Sequence, residues 1–180
     1  MTSAGPLPAP DGQAALRAQI PVTQRAAYLN AGTFGPLHQA TVAAQQEVQR
    51  RELEEGRSST AYWMEIAATR KRLREAFGTL LGVPAASLAL TTSTSQGCNT
   101  VFAGLGLTAG DHVVTTDLEH FGMLGPLHAS GAQVTVAKLS RRPAADALEL
   151  VKAAVTPRTK LIAISHVAWS TGQVIPVREL

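Results

Sequence analysis

The sequence predicts an α/β fold in which a mostly parallel sheet is flanked by helices. Downstream of Pro84 the chain repeats a cycle of short apolar run, polar or glycine-rich turn and helical stretch, which is the pattern of βαβ units. Aromatic residues make up only 4% of a chain that is 45% hydrophobic, so its core must consist mainly of Ala, Leu and Val. Such small and branched side chains suit helices that pack on a parallel sheet.

The N-terminal part of the chain is predicted to contain a tail and two helices. Residues 1–25 should be a flexible tail, because they begin with a stretch rich in Pro, Gly, Ala and Ser. Residues 26–82 should form a helical segment, with one helix over about 37–55 and a second that begins near Ser58–Thr60 and ends at Gly82. The second helix carries an apolar face that must pack on a partner: Tyr62, Ile66, Leu73, Phe77 and Leu80.

Residues 83–180 are predicted to form the first part of an α/β domain. The strand candidates are 88–92, 112–116, 134–139 and 160–165, and the helix candidates between them are 95–105, 121–130 and 144–155. Pro176 stands where a further helix would begin, and a sheet that ended here would have an unpaired edge. We therefore expect this domain to be incomplete and the chain to be truncated.

Composition narrows the cellular setting and the classes of partner. Cys98 is the single cysteine, which excludes an internal disulfide and favours a reducing, cytoplasmic location. No segment has the features of a signal peptide or a membrane span. The net charge is +3, but the basic residues are scattered without interleaved aromatics, so no nucleic-acid surface is predicted. The five histidines show no metal-ligand spacing, and no metal site is expected.

A run of hydroxyl residues follows the first strand candidate and leads into a helix. It reads Thr91-Thr92-Ser93-Thr94-Ser95-Gln96-Gly97. The start of a helix offers free backbone N–H groups and a positive dipole end, and neighbouring hydroxyls can donate further hydrogen bonds to phosphate oxygens. The same residue types are also the preferred helix caps. Phosphate binding and simple capping remain equal alternatives from these residues alone.

Two further loops carry unusual side chains directly after strand candidates. The loop after 112–116 contains Glu119 and His120; the imidazole could stack on a flat ligand ring, although a surface or capping histidine is the more common case. The loop after 160–165 contains Trp169, which could wall a pocket or complete the core. In open α/β sheets, ligands bind beyond the carboxyl ends of the strands, where all three loops lie.

These loops in this order, together with Tyr28-Leu29-Asn30-Ala31-Gly32, resemble the class V aminotransferase and cysteine desulfurase group of pyridoxal-phosphate enzymes. The resemblance runs from about residue 26 to the end and implies the fold type I architecture, of which this chain would be the N-terminal part. It also implies pyridoxal 5'-phosphate as cofactor, a small and sulfur-containing amino acid as substrate, and a homodimer as the full-length form. Gln96-Gly97-Cys98-Asn99 and the segment from Ser165 to Val174 look most similar to the cysteine/cystine C–S lyase branch.

The resemblance assigns roles to residues in the three loops and near residue 30. Those that would contact the cofactor are Thr94, Ser95 and Gln96 at its phosphate, His120 at its pyridine ring, and Trp169. Those that would line the substrate pocket are Asn30, Ala31 and Gly32. Typical desulfurases have an asparagine that contacts the cofactor's ring hydroxyl where this chain has Trp169, and this departure favours a lyase over a desulfurase.

The same resemblance places the Schiff-base lysine downstream of Leu180, so no catalytic residue is expected in this chain and the fragment itself should be inactive. Cys98 does not occupy the position of the desulfurase cysteine and should be a packing residue. Two alternatives stay open: a non-catalytic remnant that serves as an interaction module, and another class V aminotransferase or epimerase activity.

Overall fold

The computed structural model describes residues 10–180, which divide into two compact units between Leu88 and Ala89. The sequence predicts this boundary nearer Gly82. The first unit contains three helices, α1 at Pro10–Ala18, α2 at Gln39–Glu55 and α3 at Thr60–Leu81. The second unit contains three helices, α4 at Thr94–Gly104, α5 at Phe121–Ala129 and α6 at Ala147–Ala154, and three strands, β1 at His112–Thr116, β2 at Gln133–Ala137 and β3 at Thr159–Ile162.

The predicted flexible tail is wrong where the structure describes it, because residues 10–24 contain α1 and a short 3₁₀ turn at Pro21–Gln24. The helix forms because Ala14, Ala15 and Leu16 are strong helix formers and follow the proline-rich stretch directly. The remainder of the predicted tail, residues 1–9, lies outside the described residues.

The two predicted helices of the first unit are present as α2 and α3. Ser59 caps α3 by accepting a hydrogen bond from the Tyr62 N–H at 3.1 Å, and the helix ends at Gly82 in the left-handed conformation. The Tyr62 hydroxyl donates to Glu52 at 3.0 Å and thereby links α3 to α2. The predicted apolar face is half-buried at its beginning, but Leu80 is 77% exposed.

The sheet of the second unit is parallel and has the order β2-β1-β3, so β1 lies at its centre. All five residues of β1 are buried. Val113 and Val114 point to opposite faces of the sheet, and each belongs to a different core. One core contains α6 residues and the other contains α4 and α5 residues, so helices cover both faces. The predicted α/β fold with a parallel sheet flanked by helices is therefore confirmed.

Two predicted elements are not formed. Residues 88–92 belong to no strand among the described residues: Leu88 is extended, but Thr92 lies in a bend and its N–H donates to the Gln96 side chain. A strand requires a hydrogen-bonded partner, which the apolar pattern alone does not supply. The helix expected at Pro176 is a turn, in which the Glu179 N–H donates to the Pro176 carbonyl at 3.2 Å.

Strand β2 ends earlier than the sequence predicts because Asp117 replaces the next strand partner. The Asp117 carboxylate accepts hydrogen bonds from the Leu139 N–H at 2.7 Å, the Ser140 N–H at 3.1 Å and the Ser140 hydroxyl at 2.6 Å. Burial alone would raise the pKa of Asp117, but the hydrogen bonds from Ser140 and Leu139 hold that pKa below its ordinary value. The hydrogen bonds of Asp117 thus connect the loop after β1 to the loop after β2.

No helix within residues 10–180 combines the length and the apolar character that crossing a bilayer requires.

We expect the substitution Asp117→Asn to lower the free energy of unfolding by about 1–2 kcal/mol at neutral pH, because the amide keeps only part of the three hydrogen bonds to a charged acceptor. Since the folded-state pKa of Asp117 is lowered, its contribution is complete above the unfolded-state pKa and is lost as the pH falls through the folded-state pKa. Urea denaturation at several pH values measures both effects. Parallel stability curves for the wild type and Asp117→Asn across the acidic range would contradict the assignment.

Candidate functional site

At the start of α4, some residues cap the helix and their neighbours keep free hydrogen-bond donors. Ser93 is the N-cap, and its hydroxyl accepts the Gln96 N–H at 3.1 Å. The side-chain amide oxygen of Gln96 turns back to accept the Thr92 N–H at 2.6 Å and the Thr92 hydroxyl at 2.9 Å. This arrangement is a variant of the capping box, in which a residue at the third helical position reaches back to the chain before the helix. Capping is therefore done by Ser93 and Gln96.

Thr94 and Ser95 remain available for a ligand. Within residues 10–180, neither their backbone N–H groups nor their hydroxyls make a hydrogen bond. The first N–H groups of a helix have no partner in the helix itself and carry the positive end of its dipole. Two free N–H groups beside two free hydroxyls can hold an anion. The Gln96 NH₂ group could add a further donor, since only the carbonyl oxygen of that side chain is engaged.

His120 forms the start of α5 and lies next to the start of α4. Its Nδ1 accepts the Gly122 N–H at 3.0 Å, so His120 caps the helix, as one of the two sequence-based alternatives expects. Helices α4 and α5 approach each other at Gly122, which is buried. A Cβ atom at this position would lie 3.0 Å from the Ser95 hydroxyl oxygen and 3.0 Å from His120 Nδ1. The free hydroxyl of Ser95 and the imidazole are therefore neighbours across a glycine.

Trp169, in the loop after β3, lies beside His120. Its ring lies edge-on to the His120 ring, with 5.0 Å between centroids and an interplanar angle of 84°. Trp169 is 63% exposed, so it does not complete the core. Phe121 lies against His120 with 3.9 Å between centroids and is 73% exposed. Together these rings form an exposed aromatic wall beside the start of α4.

The loop that carries Trp169 is a short hairpin with its own bracing. The Ala168 N–H donates to the Gln173 carbonyl at 2.9 Å, and the Ile175 N–H donates to the His166 carbonyl at 2.8 Å. Ala168 and Ile175 are buried in the core that also contains α6. The hairpin therefore presents Trp169 on an internally connected turn.

Glu119 is a site residue to which sequence reasoning assigns no role. It is 5% exposed, and its carboxylate accepts hydrogen bonds from the Thr116 hydroxyl at 2.8 Å, the Ser165 N–H at 3.0 Å and the Ser165 hydroxyl at 2.6 Å. Since a buried carboxylate costs free energy unless it is hydrogen-bonded, the three donors explain why it is tolerated here. The only signal in the sequence is the position of this acid between β1 and His120.

The structure brings all five predicted cofactor residues together. Those that converge in the second unit are Thr94, Ser95, Gln96, His120 and Trp169. The predicted substrate residues Asn30, Ala31 and Gly32 belong to the first unit, where the Asn30 side chain accepts a hydrogen bond from the Thr33 hydroxyl at 2.8 Å.

Cys98 and Lys160 take no part in this arrangement. Burial raises the pKa of the Cys98 thiol, which packs beside the core that contains Phe102. Lys160 pairs with Asp111 at 3.3 Å near the amino ends of the strands, at the opposite edge of the sheet from the three loops.

Comparison with known proteins identifies the family. The family model described as Aminotransferase class-V matches residues 27–180. A probable cysteine desulfurase of Methanothermobacter thermautotrophicus is 28% identical over 170 residues, which are 92% of this chain and 42% of that protein. An isopenicillin N epimerase of Streptomyces clavuligerus is 31% identical over 123 residues, which are 64% of this chain and 31% of that protein. The chain thus spans less than half the length of the relatives it matches.

Solved structures show the same fold. A C-DES mutant with glycine covalently linked to its pyridoxal-phosphate cofactor superposes with a TM-score of 0.83 at 28% identity, over 91% of this chain and 44% of that one. The cysteine desulfurase CsdA of Escherichia coli superposes with a TM-score of 0.70 at 27% identity, over 92% of this chain and 44% of that one. The architecture is therefore that of the pyridoxal-phosphate enzymes of fold type I. Because the family model covers more than half of its length, this chain belongs to the class V aminotransferase family.

Proposed function

We propose that the second unit of this chain forms the phosphate-holding and ring-facing part of a pyridoxal 5'-phosphate site. The observation that carries the proposal is the convergence of the free donors of Thr94 and Ser95 with the imidazole of His120. Phosphate needs several donors and a positive potential, and both are present at the start of α4. A flat aromatic cofactor is stabilised by stacking on a protein ring, and the imidazole of His120 beside the indole of Trp169 offers such a ring.

The described residues fit this cofactor by two further features. A side chain at position 122 would fill the space between Ser95 and His120, so Gly122 keeps the hydroxyl and the imidazole in reach of one ligand. Phe121 lies against His120, so the cofactor ring would stack on the part of the imidazole that Phe121 does not cover. Trp169 would border that ring and exclude water from one side.

When bound, pyridoxal phosphate supplies an electron sink for bond breaking at the substrate amino acid. The residues of this chain would bind and orient it: Ser95 and Thr94 by donating to the phosphate, and His120 by facing the ring. Lys138 lies beside Asp117, Lys152 lies in α6 and Lys160 pairs with Asp111. We therefore propose that binding to this chain is noncovalent and that the chain alone does not turn over substrate.

For the activity of the whole protein, we propose action on a small sulfur-containing amino acid by C–S lyase or desulfurase chemistry. The support is the similarity to a probable cysteine desulfurase and to C-DES. C-DES is a cystine C–S lyase whose structure was solved in complex with its reaction product, cysteine persulfide. The similarity to an isopenicillin N epimerase supports epimerisation as the second candidate. A homodimeric form and a cytoplasmic location belong to the same proposal.

The binding proposal predicts that the substitution Ser95→Ala weakens pyridoxal phosphate binding about tenfold, the equivalent of one hydrogen bond to a charged group. Pyridoxal, which lacks the phosphate, should bind both proteins equally weakly. Absorbance titration of the chain with each compound measures the dissociation constants.

The matched control for this experiment is Ser59→Ala, which removes a serine cap from α3 in the first unit. It should lower stability by about 1 kcal/mol without changing cofactor affinity. Unchanged affinity in both Ser95→Ala and His120→Ala would refute the assignment of the two residues.

A second prediction concerns the space at Gly122. The substitution Gly122→Ala places a methyl group 3.0 Å from both the Ser95 hydroxyl and His120 Nδ1, so both must shift. Cofactor affinity should fall at least as much as in Ser95→Ala, because two contacts are disturbed at once. The control is Gly125→Ala in the same helix, where an added Cβ meets nothing within 4 Å. Equal affinities of Gly122→Ala and Gly125→Ala would contradict the proposed geometry.

The chemical proposal is tested on the longest natural polypeptide that contains these residues, incubated with pyridoxal phosphate and either cysteine or cystine. Pyruvate and ammonia as products identify β-elimination, because the C–S bond breaks and the remaining enamine hydrolyses. Alanine identifies desulfuration, because the carbon skeleton keeps its amino group. Absence of all three products, with racemisation of an amino-acid substrate, would favour the epimerase candidate.

A further inference from the structure

The side chain of Glu119 joins two of the three loops that carry the candidate site residues. It directly precedes His120 in the chain, and its carboxylate accepts hydrogen bonds from Ser165, which lies three residues after the end of β3. Ser165 lies 46 positions further along the chain. The two rings that meet at 5.0 Å, His120 and Trp169, are therefore carried by segments that this carboxylate joins.

Glu119 connects the loop after β1 to the loop after β3 through several hydrogen bonds. One carboxylate oxygen accepts the Thr116 hydroxyl at 2.8 Å, and the other accepts the Ser165 hydroxyl at 2.6 Å. The Ser165 N–H is shared between both oxygens at 3.0 Å each. Because the group is only 5% exposed, water cannot replace these donors without opening the structure.

Because the hairpin carrying Trp169 is braced by its own hydrogen bonds, its anchoring points decide where the indole stands. Ala168 and Ile175 anchor it to the core on one side. Ser165 anchors it on the side that faces the loop after β1. Loss of the Ser165 anchor would leave the hairpin intact but free to tilt away from His120.

We infer that Glu119 is a positioning residue that sets the pairing of His120 with Trp169 through Ser165. Its effect on the cofactor rests on the proposed function, whereas its effect on the two rings does not. Glu119 touches neither the space beside Ser95 nor the aromatic wall through any hydrogen bond of its own. It acts by holding the segments that do.

The test compares Glu119→Gln with Asp117→Asn in the 180-residue chain. The introduced glutamine would offer one acceptor oxygen, and its NH₂ group cannot accept the Ser165 N–H, so the connection to the loop after β3 is weakened. Asp117 is the matched control, because its three hydrogen bonds fasten the loop after β2 and not the loop that carries Trp169. Both variants should lose stability.

The first readout is the nuclear Overhauser effect between ring protons of His120 and Trp169, which needs no cofactor. It should disappear in Glu119→Gln and persist in Asp117→Asn. The second readout is the pyridoxal phosphate dissociation constant, which should rise about tenfold in Glu119→Gln and stay within about twofold in Asp117→Asn. If the wild type does not bind the cofactor, the proposed function fails while the first readout still decides the role of Glu119.

Ser165→Ala provides an independent route, since it removes only a hydroxyl and keeps the backbone donor. It should weaken the ring-to-ring signal in the same direction, and combining it with Glu119→Gln should add nothing further, because both changes break one connection. If Glu119→Gln does not fold, Ser165→Ala alone carries the test. A ring-to-ring signal that survives in Glu119→Gln and Ser165→Ala, or that disappears equally in Asp117→Asn, overturns the inference.

Discussion

The second unit depends on how the exits of its three strands are tied together at the carboxyl end of β1. Asp117 and Glu119 both follow this central strand, and each accepts hydrogen bonds from the exit of one neighbour: Asp117 from the loop after β2, and Glu119 from the loop after β3. The backbone donors of both exits thereby gain acceptors where the strand ladder has ended. The edge of the sheet at which ligands bind in such folds is thus assembled outward from its centre.

Much of this arrangement follows from local sequence. The sequence predicts β1 with the observed bounds, because a short apolar run is followed directly by a polar loop, and the structure buries all five residues of the strand. The segment 88–92 has a similar apolar character but forms no strand, since strand formation depends on a partner that the pattern does not specify. The sequence does not predict the helix α1, because the nearby prolines indicate an irregular tail more strongly than its alanines indicate a helix.

The candidate site shows where local reasoning ends. The spacing Ser93-x-x-Gln96 is a recognisable capping pattern, and it could have separated the capping residues from Thr94 and Ser95 in advance. For His120, the sequence could not decide between capping and ring contact, and the structure combines capping through Nδ1 with a contact to Trp169. The connection from Glu119 to Ser165 spans 46 positions and depends on the parallel pairing of β1 with β3, which no short motif encodes.

The hydrogen bond that caps α5 also decides the tautomer of His120. Because Nδ1 accepts the Gly122 N–H, the proton of the neutral imidazole resides on Nε2. A planar ligand beside this ring would therefore meet an imidazole whose Nδ1 is already engaged by the helix start, so that only Nε2 is left to bond elsewhere. The helix cap thus decides which imidazole nitrogen the aromatic wall can offer to a ligand.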